Sequence, residues 1–226
     1  GKVMNQGKLS KAKKVFFSLI DKVDEGAYLE DGSMFTCFDG RKQRVLSVGD
    51  LNTAMQFQVE NLLSAMVVAT IVNTAKADIV NIAMKFEGLD HRVEWVRKVR
   101  GVDFVNDSKG TNVGALQKSL KVFSRPIILI AGGKDKGGDF RVLKNIFKGK
   151  VKHLVLIGET KNKFRKMLNG SFSYEDAESM EDAVERSMSK ATVGDIVLLS
   201  PGCSSFDMFK DFIERGNQFK EIVGRL

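Results

Sequence analysis

The chain has 226 residues, 43% of them hydrophobic, with 36 basic and 28 acidic side chains and a net charge of +8. Two cysteines exclude a disulfide scaffold and a four-thiolate zinc site, and two histidines, His91 and His153, argue against a histidine-built metal centre. The longest apolar run, around Leu62 to Val72, falls short of the roughly 20 residues a membrane span needs.

Residues 14–48 read as β. Short apolar runs at Val15–Leu19, Ala27–Glu30, Met34–Phe38 and Arg44–Val48 are separated by Asp31-Gly32 and Asp39-Gly40. Asp-Gly is a strong hairpin signal, so a small antiparallel meander is expected. Residues 57–84 read as two helices with a break near Asn73 to Asp78; Val59, Leu62, Leu63, Met66 and Ile71 give a broad apolar face. From residue 102 strands and helices alternate. Strands are expected at Val102–Val105, Pro126–Ala131, His153–Gly158, Phe172–Tyr174 and Asp195–Ser200. Helices are expected up to Phe123, near Phe140–Phe147, at Lys161–Leu168, after a Ser179 cap, and after Ser204. This alternation predicts an α/β unit with a mostly parallel sheet and helices on both faces. The expected boundary falls near Gly88, giving units 1–88 and 89–226. At about 150 residues per domain the chain amounts to roughly one and a half domains, which suggests a piece of a longer protein.

The charge is uneven. Residues 1–88 carry 11 basic and 10 acidic side chains, and residues 89–226 carry 25 and 18, so the second part holds +7 of the +8. Such an excess suits anionic ligands, although a solvated lysine-rich surface is the commoner explanation. No aromatic-basic or zinc-finger pattern points to nucleic acid.

Three polar loops follow strand ends in the second part: Asn106–Asn112, Gly132–Asp139 and Ser200–Asp207. At the carboxyl edge of a parallel sheet they can converge on one cleft. The second resembles a phosphate-binding loop only superficially. Gly138 and Asp139 stand where Lys and Ser/Thr are required, and its glycines are more readily explained by a tight turn. In the third loop Ser204 or Ser205 can serve simply as a helix cap, or the helix start can attract an anion. Cys203 reads as a small buried thiol rather than a nucleophile, since neither histidine is adjacent in sequence.

Three ordered segments go further: Gly88-Leu89-Asp90-His91-Arg92, Asn106–Asn112, and Leu198–Phe209 continuing through Glu214-Arg215-Gly216-Asn217-Gln218-Phe219. Together they resemble the Mur ligases, and the serine-proline-rich last segment resembles the members that add D-glutamate. The resemblance covers the whole chain but only the second half of the family pattern. It implies the C-terminal part of the central ATPase domain for 1–88 and a Rossmann-like amino-acid-binding domain for 89–226. It also implies cytoplasmic, ATP-dependent amide formation on UDP-N-acetylmuramoyl-L-alanine through an acyl phosphate, with magnesium ligands upstream of this chain and no metal residue within it. The phosphate-binding loop would lie upstream too, so the chain by itself is expected to be inactive.

The same resemblance implies residue roles. Arg92 and Asp107 would meet ATP, and Lys109 would lie near its phosphates and the reacting acyl group as the catalytic cation. Thr111 and Lys136 would hold the α-carboxylate of D-glutamate. Ser205 would hold its side-chain carboxylate, with Phe206 and Phe212 closing the pocket. Gln58 and Asn61 would face adenine, with Phe57 where the family carries histidine. A monomer acting on small molecules, without nucleic acid or membrane, is expected. The alternatives are a folylpolyglutamate-synthase-like ligase of the same superfamily and a non-catalytic nucleotide- or amino-acid-binding module.

Overall fold

Two Asp-Gly pairs turn the chain back on itself at the start. In the computed structural model, which describes residues 11–170 and 172–226, strands β1 (Phe16–Ser18), β2 (Gly26–Glu30), β3 (Ser33–Phe38) and β4 (Arg41–Ser47) lie side by side in that order. The β2–β3 and β3–β4 pairs are antiparallel. Asp31 and Gly32 have φ of 48° and 70°, and Asp39 and Gly40 have 49° and 72°. These are the signs a two-residue type I′ turn demands. The meander expected at residues 14–48 is not antiparallel throughout, because β1 runs parallel to β2 with Phe16 opposite Gly26. No two-residue turn signal separates these strands, and residues 19–25 loop back instead. Gly26 permits the close approach, since a Cβ there would stand 1.7 Å from the Phe16 carbonyl oxygen.

Helices α1 (Thr53–Gln56), α2 (Val59–Ile71) and α3 (Lys76–Lys85) follow. Asn52 caps α1 by accepting the Met55 N–H at 2.9 Å. Asn73, with φ of 59°, marks the break between α2 and α3. Leu62, Leu63, Met66 and Val67 of α2 pack with Ala27, Met34, Leu46 and Met55 into one core.

The chain divides into two units, Gly1–Gly88 and Leu89–Leu226. The second contains β5 (Glu94–Val99), β6 (Val102–Asn106), α4 (Val113–Val122), β7 (Ile127–Gly132), α5 (Lys144–Lys150), β8 (Val151–Ile157), α6 (Lys161–Leu168), β9 (Tyr174–Asp176), α7 (Met180–Lys190), β10 (Ile196–Leu199) and α8 (Phe212–Arg225). The sheet order is β5-β6-β10-β7-β8-β9, and every pair except β5–β6 is parallel. The mostly parallel α/β architecture expected from the alternation is therefore present. Strands β6, β7 and β10 are buried throughout, as continuous apolar runs require when both faces of a sheet are covered. Phe104, Ile128, Ile130, Val155, Val197 and Leu199 meet α7 and α8 through Ala183, Val184, Phe219 and Val223. Leu116, Leu120, Phe147 and Phe164 are buried on α4, α5 and α6; α5 and α6 pack on β8 and α4 packs beside α5.

Four details depart from the sequence expectations. Strand β5 was not expected, because its alternation is interrupted by charge and its turn is Arg100-Gly101, with φ of 48° and 79°, rather than Asp-Gly. The weak strand expected at Phe172–Tyr174 sits at Tyr174–Asp176. The helix expected near Phe140–Phe147 is a 3-10 turn, Phe140–Leu143, capped by Asp139 and continuing into α5. The last helix does not start after Ser204. It starts at Phe212, where the Asp211 carboxylate accepts the Ile213 and Glu214 N–H groups at 2.9 and 2.8 Å.

Candidate functional site

The first loop leaves β6 at Asn106, whose amide is fully buried. Its Nδ2 donates to Glu94 Oε2 at 2.9 Å and lies 2.9 Å from His91 Nδ1, while its Oδ1 accepts the Ser108 N–H at 3.1 Å. The next residue, Asp107, is only 4% exposed. The hydroxyls of Ser119 and Ser200 donate to its Oδ2 at 2.5 and 2.7 Å, and the Val93 N–H donates to Oδ1 at 3.3 Å. Burial raises the Asp107 carboxyl above its ordinary value against those hydrogen bonds and the charge of Arg92. The expected ATP pair Arg92 and Asp107 is thus within electrostatic reach, with Arg92 exposed and Asp107 facing inward.

Lys109 projects from the same loop. Its N–H donates to the His91 carbonyl at 2.9 Å, and its ammonium stands 3.9 Å from the centre of the Phe212 ring. That cation–π contact joins two residues assigned separately from the sequence. The His91 ring meets Phe212 edge-on, with centroids 6.0 Å apart. His91 and Val93 both have positive φ, 62° and 48°. This is a strained geometry for a β-branched residue, of the kind that gathers at functional sites.

Backbone hydrogen bonds stitch the three loops together. The Gly202 N–H donates to the Gly110 carbonyl at 2.8 Å, joining the third loop to the first. Lys134 and Ser204 exchange bonds of 2.9 and 3.1 Å, and the Gly132 N–H donates to the Pro201 carbonyl at 2.9 Å, joining the second to the third. The glycines of the second loop serve this packing. A Cβ on Gly132 would stand 2.0 Å from the Ile157 carbonyl oxygen, and one on Gly133 2.2 Å from that of Ser204. So Thr111, Lys136, Ser205, Phe206 and Phe212 all belong to one sheet edge. Lys136 is exposed, Ser205 is buried, and Phe206 beside it is 62% exposed. Cys203 is buried 3.4 Å from the Thr160 hydroxyl, and burial pushes its thiol up to about 11, so it is no thiolate nucleophile at neutral pH.

Gln58 and Asn61 lie in the first unit at the start of α2, where the Asn61 amide donates to Gln58 Oε1 at 2.5 Å. Phe57 precedes them as the C-cap of α1. Among the described residues no group of three or more carboxylate, imidazole or thiol side chains is arranged to hold a metal ion. No helix among them is long and apolar enough to cross a membrane. Sequence reasoning placed Asn106 and Ser200 in the loops of this edge but missed Ser119, and it missed the pairings of all three, which depend on contacts 12 to 93 residues apart.

Residues 91–203 match a family model described as Mur ligase, glutamate ligase domain. The chain is 40% identical over 224 residues to a UDP-N-acetylmuramoylalanine–D-glutamate ligase of Thermoanaerobacter sp. (strain X514), an alignment covering 96% of this chain and 49% of that protein. The chain spans about half the length of the curated relatives it matches. Among solved structures, a pseudomurein peptide ligase type C from Methanothermus fervidus superposes with a TM-score of 0.63 at 16% identity, covering 91% of this chain and 42% of that one. E. coli FolC in complex with ADP gives 0.61 at 14% identity, covering 88% and 47%.

Proposed function

Because the chain belongs to the Mur ligase family, we propose that it is the C-terminal half of an ATP-dependent ligase that joins D-glutamate to UDP-N-acetylmuramoyl-L-alanine. The observation that carries this reading is the stitched edge of the sheet. A dianionic amino acid needs two separated sets of donors, and the loops supply them from different strands. Thr111 and Lys136 take the α-carboxylate, and Ser205 takes the side-chain carboxylate beside Phe206 and Phe212. Each charge-assisted bond contributes about 1.5–3 kcal/mol. The 40% identity to a D-glutamate ligase over nearly the whole chain supports the choice of amino acid.

In this reading ATP supplies the phosphoryl group that activates the substrate carboxylate. Residues of this chain hold and orient. Arg92 faces the nucleotide, with Asp107 buried beside it and reaching the ligand only if its bonds to Ser119 and Ser200 rearrange, and Gln58 and Asn61, in the tail of the central ATP-binding domain, are assigned to the base. Lys109 puts positive charge where the carboxylate is activated and phosphate departs, with Phe212 limiting the arc its ammonium can sweep. Positioning and preorganised charge are large terms in such chemistry. Magnesium ligands are assigned, by the family resemblance, to the other half of the enzyme.

The test is phosphate release by the full-length enzyme with ATP, UDP-N-acetylmuramoyl-L-alanine and each candidate amino acid. Turnover dependent on D-glutamate is expected. Turnover with a folate acceptor and glutamate in its place would overturn the reading. The 226-residue chain alone is expected to release no phosphate.

A further inference from the structure

Arg215, in the first turn of α8, is fully buried and heads the largest side chains that are so. Long charged side chains are almost never fully buried unless a counter-charge accompanies them. Here the guanidinium meets a hydroxyl and two backbone carbonyls instead. Nε donates to Ser108 Oγ at 2.9 Å, Nη2 to the Ser108 carbonyl at 2.8 Å and Nη1 to the Cys203 carbonyl at 3.3 Å. The Ser108 hydroxyl in turn donates to the Phe212 carbonyl at 2.8 Å. Gly133 completes the ring, because a Cβ there would stand 3.4 Å from Nη1. One side chain therefore bonds the first and third loops and lies beside the second. Its contacts lie beside their working residues: Ser108 next to Lys109, Gly133 at the root of the loop carrying Lys136, and Cys203 two residues before Ser205.

Two acids, Asp207 and Asp107, lie within electrostatic reach and favour the charged guanidinium without hydrogen-bonding it. Asp107 accepts from Ser119, Ser200 and the Val93 N–H, and Asp207 Oδ2 accepts the Glu159 N–H at 2.9 Å. Burial lowers the Arg215 guanidinium to about 10, which still leaves it charged at neutral pH.

We propose that Arg215 is the positioning residue that registers the three loops for a dianionic amino acid. The proposal rests on the D-glutamate reading above. A lysine would keep the charge but lose the planar fork that reaches three acceptors at once. Methionine would keep most of the length and lose both.

The experiment compares Arg215→Lys, Arg215→Met and Ser108→Ala in the full-length ligase. KM for D-glutamate and for ATP are measured separately, and Trp95 fluorescence monitors folding. Arg215→Met is expected to raise the D-glutamate KM about 10- to 150-fold, the range for one charge-assisted bond, with ATP KM unchanged. Arg215→Lys should recover part of the loss, and Ser108→Ala should move KM the same way by less. Equal rises in both KM values, or a lowered melting temperature with D-glutamate KM unchanged, would overturn the proposal. If Arg215→Met does not fold, Ser108→Ala decides, and an unaltered D-glutamate KM there overturns it. Wild-type enzyme without D-glutamate-dependent turnover would instead sink the functional reading, so the two failures are distinguishable.

Discussion

The second unit covers its sheet on both faces, whereas the first leaves one side of its main helix bare. In the second, the sheet carries α7 and α8 on one face and α4, α5 and α6 on the other, and its exposed large apolar residues, such as Trp95, Val142 and Val193, are scattered. In the first, Val68, Ile71 and Val72 are exposed at the end of α2, with Ile82, Met84 and Phe86 at the end of α3. The difference teaches that both units hold a core, and that the second covers its own more completely.

The largest expected effect is the separation of the two units on unfolding. The only tryptophan, Trp95, lies in the second unit, where its indole N–H donates to Asp103 Oδ1 at 3.1 Å. Its fluorescence therefore reports that unit, while circular dichroism reports both. In urea the dichroism should show an earlier transition that the fluorescence misses. Leu63→Ala should lower only the early one, by about 2–5 kcal/mol, and Phe104→Ala only the late one, by about 3–5 kcal/mol. A single coincident transition for both probes would break the comparison.

Next in size is a test within the second unit. Lys136→Ala in the full-length enzyme should raise the D-glutamate KM about 10- to 150-fold, the range for losing a charge-assisted bond. Lys134→Ala should be nearly silent, because the link of Lys134 to Ser204 runs through its backbone. Equal effects would return the second loop to an ordinary solvated turn.

A smaller effect separates the units by pH. His91 and His153, the only histidines, both lie in the second unit, and burial holds both below the ordinary value of 6.5. As pH falls through 6.5 the unfolded chain takes up protons first, so stability is complete above that value and declines below it. The raised Asp107 carboxyl acts oppositely, its cost fading as pH falls toward its unfolded value. From about pH 7.5 to 5.5 the Trp95 transition should weaken as the pH falls, through these two histidines. The early transition should stay flat. His91→Gln with His153→Phe should remove the slope, and a slope surviving in the double variant would count against this assignment. Smallest of all, Val68→Ser and Val72→Ser should change the stability of the isolated chain by no more than about 0.5 kcal/mol.

Much of the site was legible in the sequence, for local reasons. The Asp-Gly turns, the Ser179 cap and the apolar strand runs are each fixed by a few neighbouring residues, and the loops after β6, β7 and β10 follow from the alternation. The misplaced start of the last helix shows the limit. Ser204 and Asp211 are both good caps by residue type, and the backbone bonds from Ser204 to Lys134 decide against the first. Strand β5 was hidden because an edge strand carries its charges outward and needs only a partner, β6, to exist.

The sequence by itself determined the element types, the boundary near Gly88 and the residues offered at each strand end, because propensity and periodicity are properties of short windows. Tertiary structure alone decided which of them act together. Ser119 reaches Asp107 across 12 residues, Ser200 across 93, and Arg215 reaches Ser108 across 107. A buried polar group must find its partner wherever the fold brings one within about 3 Å, and no local window encodes that distance.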